Sequence, residues 1–240
     1  TALTERRCGQ NVLTSLDVSA NTSLILLRCQ TNQLTALDVS TNTALTNFHC
    51  YNNSLTSLDV SANTALTNLH CSGNQLTSLD LNNNTALTIL QCGYNQLTSL
   101  DVSNNTVLDY LNCFDNELTS LDVSTNTALT ELRCGANALT SLDVSANTAL
   151  TLLRCQENQL TALDVSANTA LTKLKCQTNQ LTYLNMKNGI TDGLTEFIAT
   201  GNSLDCIEVN AGDVDYATTN WTYANGNIDD DVTFSESCTA

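Results

Sequence analysis

His70, Cys71 and Asp80 put the side chains of nucleophilic catalysis into one short stretch, LTNLHCSGNQLTSLDL. An imidazole can draw the proton from a thiol, and a carboxylate can orient the imidazole. The same donor types can hold zinc. Their placement speaks against both uses. His70 and Cys71 are neighbours in a segment of alternating apolar residues, and neighbouring strand residues point to opposite faces. Asp80 belongs to the next such segment. Zinc needs its ligands grouped on one face. Neither a catalytic residue nor a metal site is expected in this stretch.

The elements that must position these residues recur along the chain. Cysteine stands at Cys8, Cys29, Cys50, Cys71, Cys92, Cys113, Cys134, Cys155 and Cys176, each 21 residues after the last. Asp keeps the same period from Asp17 through Asp38, Asp59, Asp80, Asp101, Asp122 and Asp143 to Asp164. One Asn follows each Cys by three residues, as at Asn74, and a second follows each Asp by four, as at Asn84. A fixed period of this length is the mark of a solenoid. His70, Cys71 and Asp80 are lattice positions first, and an identical Asp on eight successive coils lacks the differentiation of an active site.

Each period has two halves, L-x-x-L-x-C-x-x-N and L-x-x-L-D-V-x-x-N, and neither has room for a long helix. The alternation in NLHCS and SLDVS is that of strands with one buried face. Two short parallel strands per coil are expected, forming two parallel sheets over a thin core of Leu, Val and Cys. The Asn side chains should turn inward, bonding the turn backbone and the next Asn along the stack. The nine periodic cysteines should be free buried thiols, which pack as small apolar groups. The regular repeats run over 1–190, a degenerate last coil over 191–212, and a C-terminal cap over 213–240. In that last coil Ala199 takes the Cys slot, whereas Cys206 falls in an outward slot. A disulfide between Cys206 and Cys238 of the tail is expected and suits an oxidising compartment.

The 240 residues carry a formal net charge of −16, with no Pro and only 9 Gly. That charge argues against nucleic acid as a partner. No run of 18 apolar residues exists, so membrane insertion is not expected. The chain opens at Thr1 without an apolar leader, and a processed piece or an excised domain is expected. Without Pro, the turns must rest on Asn, Asp, Ser and Thr.

The nested 21-residue pattern, carried by residues such as Leu66, Leu69, Cys71, Asn74, Leu79, Asp80 and Asn84, resembles the leucine-rich repeats. It looks like their short bacterial class called IRREKO, over roughly residues 3 to 190. The resemblance implies an all-β, leucine-rich-repeat solenoid of about ten coils, on a bacterial protein exported to the cell surface or medium. The tail resembles the caps of repeat proteins exported by environmental, polymer-degrading bacteria. A recognition role is implied, without one ligand.

Binding is expected where the repeat varies. The outward slot before each Cys reads Arg7, Arg28, His49, His70, Gln91, Asn112, Arg133, Arg154, Lys175. It holds five of the eight Lys and Arg side chains and both His. The slot two residues earlier includes Asn47, Asn68 and Tyr110, and Tyr51, Tyr94 and Phe114 follow the cysteines. The candidate ligand-binding residues are therefore Arg28, Asn47, His49, Tyr51, Asn68, His70, Gln91, Tyr94, Tyr110, Asn112, Phe114, Arg133, Arg154 and Lys175. Exposed Arg and Tyr are common interface anchors. A monomer that binds an extracellular protein is the leading expectation. An anionic polysaccharide is a second candidate partner, and a stalk without a ligand is a third reading. Histidine protonation below about pH 6.5 should strengthen binding to an anion. No cofactor is required, although calcium on the Asp ladder or on the acidic tail is left open.

Overall fold

A computed structural model describes residues 2–238. The chain is a nearly all-β parallel solenoid of short strands and divides into two compact units, Thr1–Leu118 and Thr119–Ala240. In the first, β1 (Glu5–Arg7), β2 (Leu26–Arg28), β3 (Asn47–His49), β4 (Asn68–His70), β5 (Ile89–Gln91) and β6 (Tyr110–Asn112) pair in parallel, each with the next. The register is one coil: Leu27 lies beside Phe48, Phe48 beside Leu69, and Leu69 beside Leu90.

The second unit opens with β7 (Glu131–Arg133), β8 (Leu152–Arg154), β9 (Ala162–Asp164), β10 (Lys173–Lys175) and β11 (Tyr183–Asn185). A 3-10 turn (Thr191–Gly193), β12 (Glu196–Ile198), β13 (Cys206–Glu208), helix α1 (Val214–Asn220) and β14 (Thr233–Ser235) follow. Strands β7, β8, β10 and β12 pair in that order on the Cys side. Strands β9, β11, β13 and β14 form a parallel sheet on the Asp side.

The period-two reading holds at every Cys rung from β2 onward: the central residue is buried and the residue before the Cys is half-exposed. Leu69, Cys71, Leu76 and Val60 are fully buried. Nine cysteines are free, eight of them buried and Cys8 partly so.

Two strands per coil is too regular a picture. In the first unit the Asp segments are extended but form no strand among the described residues. The difference follows the charge. Like charges on neighbouring rungs destabilise a pairing, and the carboxylates of Asp59 and Asp17 act against that of Asp38. Where Asn185 takes the Asp slot, its Nδ2 donates to Asp164 Oδ2 at 3.1 Å. There β9 and β11 close into a ladder, with Val165 N donating to Asn185 O at 3.0 Å.

Coils without that ladder are tied by buried amides. Asn63 is fully buried, and its Nδ2 donates to Val39 O at 3.0 Å and to Asn42 O at 2.9 Å, one coil back. On the Cys side Asn74 Nδ2 donates to Cys71 O at 3.0 Å and Cys50 O at 3.1 Å, while its Oδ1 accepts from Leu55 N at 3.0 Å. The amides thus bind backbone of the same and the preceding coil, not one another's side chains.

The turn after each Cys adopts a left-handed residue. It is Gly only at Gly73 and Gly201, while Thr31, Tyr94, Ala136 and Thr178 hold φ of 51° to 56°. A Cβ on Gly93, just before Tyr94, would lie 2.7 Å from Phe114 O, so that position must be glycine for the chain to approach so closely.

The tail is tied to the last coil. Cys206 and Cys238 form a disulfide. Trp221, 4% exposed, packs its ring 4.4 Å from Phe197. Lys187 Nζ lies 2.8 Å from Glu208 Oε2, and Glu208 Oε1 accepts from Cys238 N at 3.2 Å.

Candidate recognition surface

The in-register strands of the first unit set the varied residues side by side. Arg7, Arg28, His49, His70, Gln91 and Asn112 form one row; Glu5, Leu26, Asn47, Asn68, Ile89 and Tyr110 form the next. From Leu26 to Asn112 these side chains are half-exposed. The turn beyond adds Tyr51, whose ring stacks on His70 at 4.1 Å. His70 meets His49 edge-on at 5.9 Å. Tyr94 is 56% exposed, sits in the left-handed region, and tilts against Phe114 at 5.5 Å. Asn112 Oδ1 accepts from Phe114 N at 3.1 Å, fixing that turn.

Partial burial alters the chemistry of the histidines. Burial, and then the Arg28 charge, lowers the pKa of His49. Burial, and then His49, lowers that of His70 to about 4. The gain of charge expected below about pH 6.5 therefore moves to lower pH at both, and for His70 to about 4. The sequence showed their exposure but not the Tyr51 ring that covers one of them.

The cations in the slot before each Cys of the second unit are paired. Arg133 Nη2 lies 3.1 Å from Glu131 Oε2. Arg154 and Lys175 share Glu196, at 3.5 and 2.8 Å. Glu196 lies in the degenerate coil, outside the 21-residue register, which is why sequence periodicity missed it. Glu131 was legible, standing two residues before Arg133 on the same strand face.

The Asp side is uniform. Asp38 Oδ1 accepts from Ser40 N at 2.9 Å, and Asp59, Asp80, Asp101, Asp122 and Asp143 make the same bond at 2.9 Å. The Ser40 backbone and hydroxyl hold the Asp38 carboxyl below its ordinary range. The hollows between rungs are shallow, about 430 Å³ beside Asp38 and Asp59 and about 240 Å³ beside Asp80 and Asp101. Two acidic residues of the tail region are also engaged. Asp213 Oδ2 accepts from Thr191 Oγ1 at 2.8 Å, and Asp229 accepts from Gly201 N and Asn202 N at 2.9 and 3.0 Å. His70 and Cys71 are separated by the sheet: the first is half-exposed, the second fully buried with its thiol pushed up to about 12 by burial. Such a thiol is inert.

A parallel solenoid with a Leu, Val and Cys core and an amide bond set at each turn leaves one fold to consider. It is the leucine-rich-repeat fold. The functional domain of InlJ from Listeria monocytogenes, which includes a cysteine ladder, is 32% identical with a TM-score of 0.68, over 87% of this chain and 59% of that one. A leucine-rich-repeat protein of Leptospira interrogans is 24% identical with a TM-score of 0.75, over 83% and 55%. The ectodomain of the Arabidopsis thaliana receptor kinase GASSHO1/SCHENGEN3, solved in complex with CASPARIAN STRIP INTEGRITY FACTOR 2, is 24% identical with a TM-score of 0.81, over 97% and 30%. The last two likenesses concern the fold alone. The chain spans under three-fifths of the length of each. No family profile and no curated protein matches it. No helix among the described residues is long and apolar enough to cross a membrane.

Proposed function

We propose that this chain is a non-catalytic, extracellular recognition module that binds a protein partner through the varied strands on its Cys side. The observation that carries the reading is the contrast between its two sides. One repeats the same Asp turn; the other presents a different half-exposed set on each coil. Tyr94 supports it, since a bulky exposed side chain in a strained left-handed turn calls for a reason beyond the fold. Exposed aromatic and Arg side chains anchor interfaces. The likeness to InlJ and its cysteine ladder supports a bacterial leucine-rich-repeat protein, and the disulfide supports an oxidising, extracellular setting. The tail, held by Trp221 and Cys206, acts as the C-terminal cap that such stacks require.

An anionic polysaccharide is the weaker reading, because four of the five cations in the slot before each Cys, namely Arg7, Arg133, Arg154 and Lys175, are met by Glu residues. Probing arrays of extracellular proteins and of glycans with the purified chain separates the two. The reading expects protein hits whose binding survives added calcium chelator. Hits confined to sulfated or uronic glycans would overturn it.

A further inference from the structure

The repeat serves as its own control for Arg28. Arg7 has Glu5 at 3.0 Å, two residues earlier on its own strand. Arg133 has Glu131 in the same relation, and Glu196 serves Lys175 from the next rung and Arg154 from two rungs on. At Arg28 the position two residues earlier is Leu26. Its row neighbours are Arg7, already engaged with Glu5, and His49, which offers no carboxylate. Among the described residues Arg28 has no carboxylate within 4.0 Å. Its Nε is buried without a hydrogen-bond partner. The Nε atoms of Arg133 and Arg154 are too, but the Nη2 atoms of those residues reach Glu131 and Glu196.

Building on the recognition reading above, we propose that Arg28 is the anchor of the surface in the first unit and takes a carboxylate from an acidic segment of a protein partner. A guanidinium fork matches a carboxylate with two parallel N–H···O bonds. The pairing resembles what Glu5 and Glu131 do within the chain. The surroundings select a peptide over a polyanion. A polysaccharide with a charge on every sugar needs a row of free cations. Along this row Arg28 is followed by His49, His70, Gln91 and Asn112, none of them Lys or Arg, on a chain of net charge −16. One carboxylate fits at Arg28, and the stacked Tyr51 and His70 rings one and two coils on offer a flat seat for an apolar or aromatic neighbour.

The test is an NMR titration of the whole chain, following the arginine Nε–Hε signals and the histidine ring signals. The probes are the capped peptide Ac-Ala-Glu-Ala-Tyr-NH2, its Gln counterpart, and a sulfated tetrasaccharide. The Glu peptide should shift Arg28 and His49, leave Arg133 and Arg154 in place, and bind at least tenfold more tightly than the Gln peptide. Leu26→Glu should supply the missing internal partner and abolish the shift, while Leu26→Gln keeps it. Arg28→Gln should abolish the response of His49 should Leu26→Glu fail to fold. Equal binding of both peptides, an undiminished shift in Leu26→Glu, or a response to the tetrasaccharide alone overturns the proposal. If a protein partner still binds the varied side while the two peptides are indistinguishable, the carboxylate assignment fails and the recognition reading stands.

Discussion

Cys71 and His70 are adjacent in sequence and live in different media. The thiol, surrounded by Leu, contributes by filling space, so Cys71→Ala should cost about 1–3 kcal/mol through the void it leaves. Denaturant unfolding would measure it, with circular dichroism unchanged. Ellman titration of the denatured, unreduced protein should give nine thiols, and the native protein should react quickly at Cys8 alone. For His70 the sign is set by the direction of its shift. Its pKa is about 4 folded against 6.5 free, so the unfolded chain binds the proton first as pH falls. Stability should be full above about pH 6.5 and decline toward pH 4, and His70→Gln should flatten that slope. The inward placement of Cys71 and the outward placement of His70 were legible from alternation. The lowered pKa of the imidazoles was not, because it depends on burial by neighbouring coils, as where the Tyr51 ring stacks on His70.

At the scale of the element, each coil is a short strand, a left-handed turn, an extended Asp segment and two inward amides. A non-glycine residue in the left-handed region loses about 1–2 kcal/mol, and glycine gives back about 0.4–1 kcal/mol through the unfolded chain. Thr178→Gly, at φ 56°, should therefore raise stability by roughly 0.5–1 kcal/mol by these figures; a fall in melting temperature would contradict this. Asn63→Ala removes two bonds to buried carbonyls and should destabilise by about 1–3 kcal/mol. The Cys-side strands and the inward amides were readable because each repeats with the period. The uneven Asp side was not. Its pairing turns on whether two carboxylates or a carboxylate and an amide face each other, a contact between residues 21 apart such as Asp164 and Asn185.

On the scale of the whole molecule, nearest-neighbour stacking means that local damage stays local. Cys206→Ser should release the tail while the coils before it persist, with limited proteolysis cutting beyond about residue 210. Cleavage spread evenly through the repeats would show that the tail is not separately held. The solenoid could be read from its period alone. The candidate surface could be read only as a stripe of variation, since which of its cations are free depends on Glu196 from an irregular coil. The most direct measurement of the recognition claim compares two triple variants against the protein partner found by array. Tyr51→Ser, Tyr94→Ser and Phe114→Ser together strip the varied side. Asp38→Asn, Asp59→Asn and Asp80→Asn together remove charge from the other side and keep the turn acceptor. The account predicts at least a tenfold loss of affinity in the first and little change in the second; the reverse pattern would place recognition on the Asp ladder and contradict it.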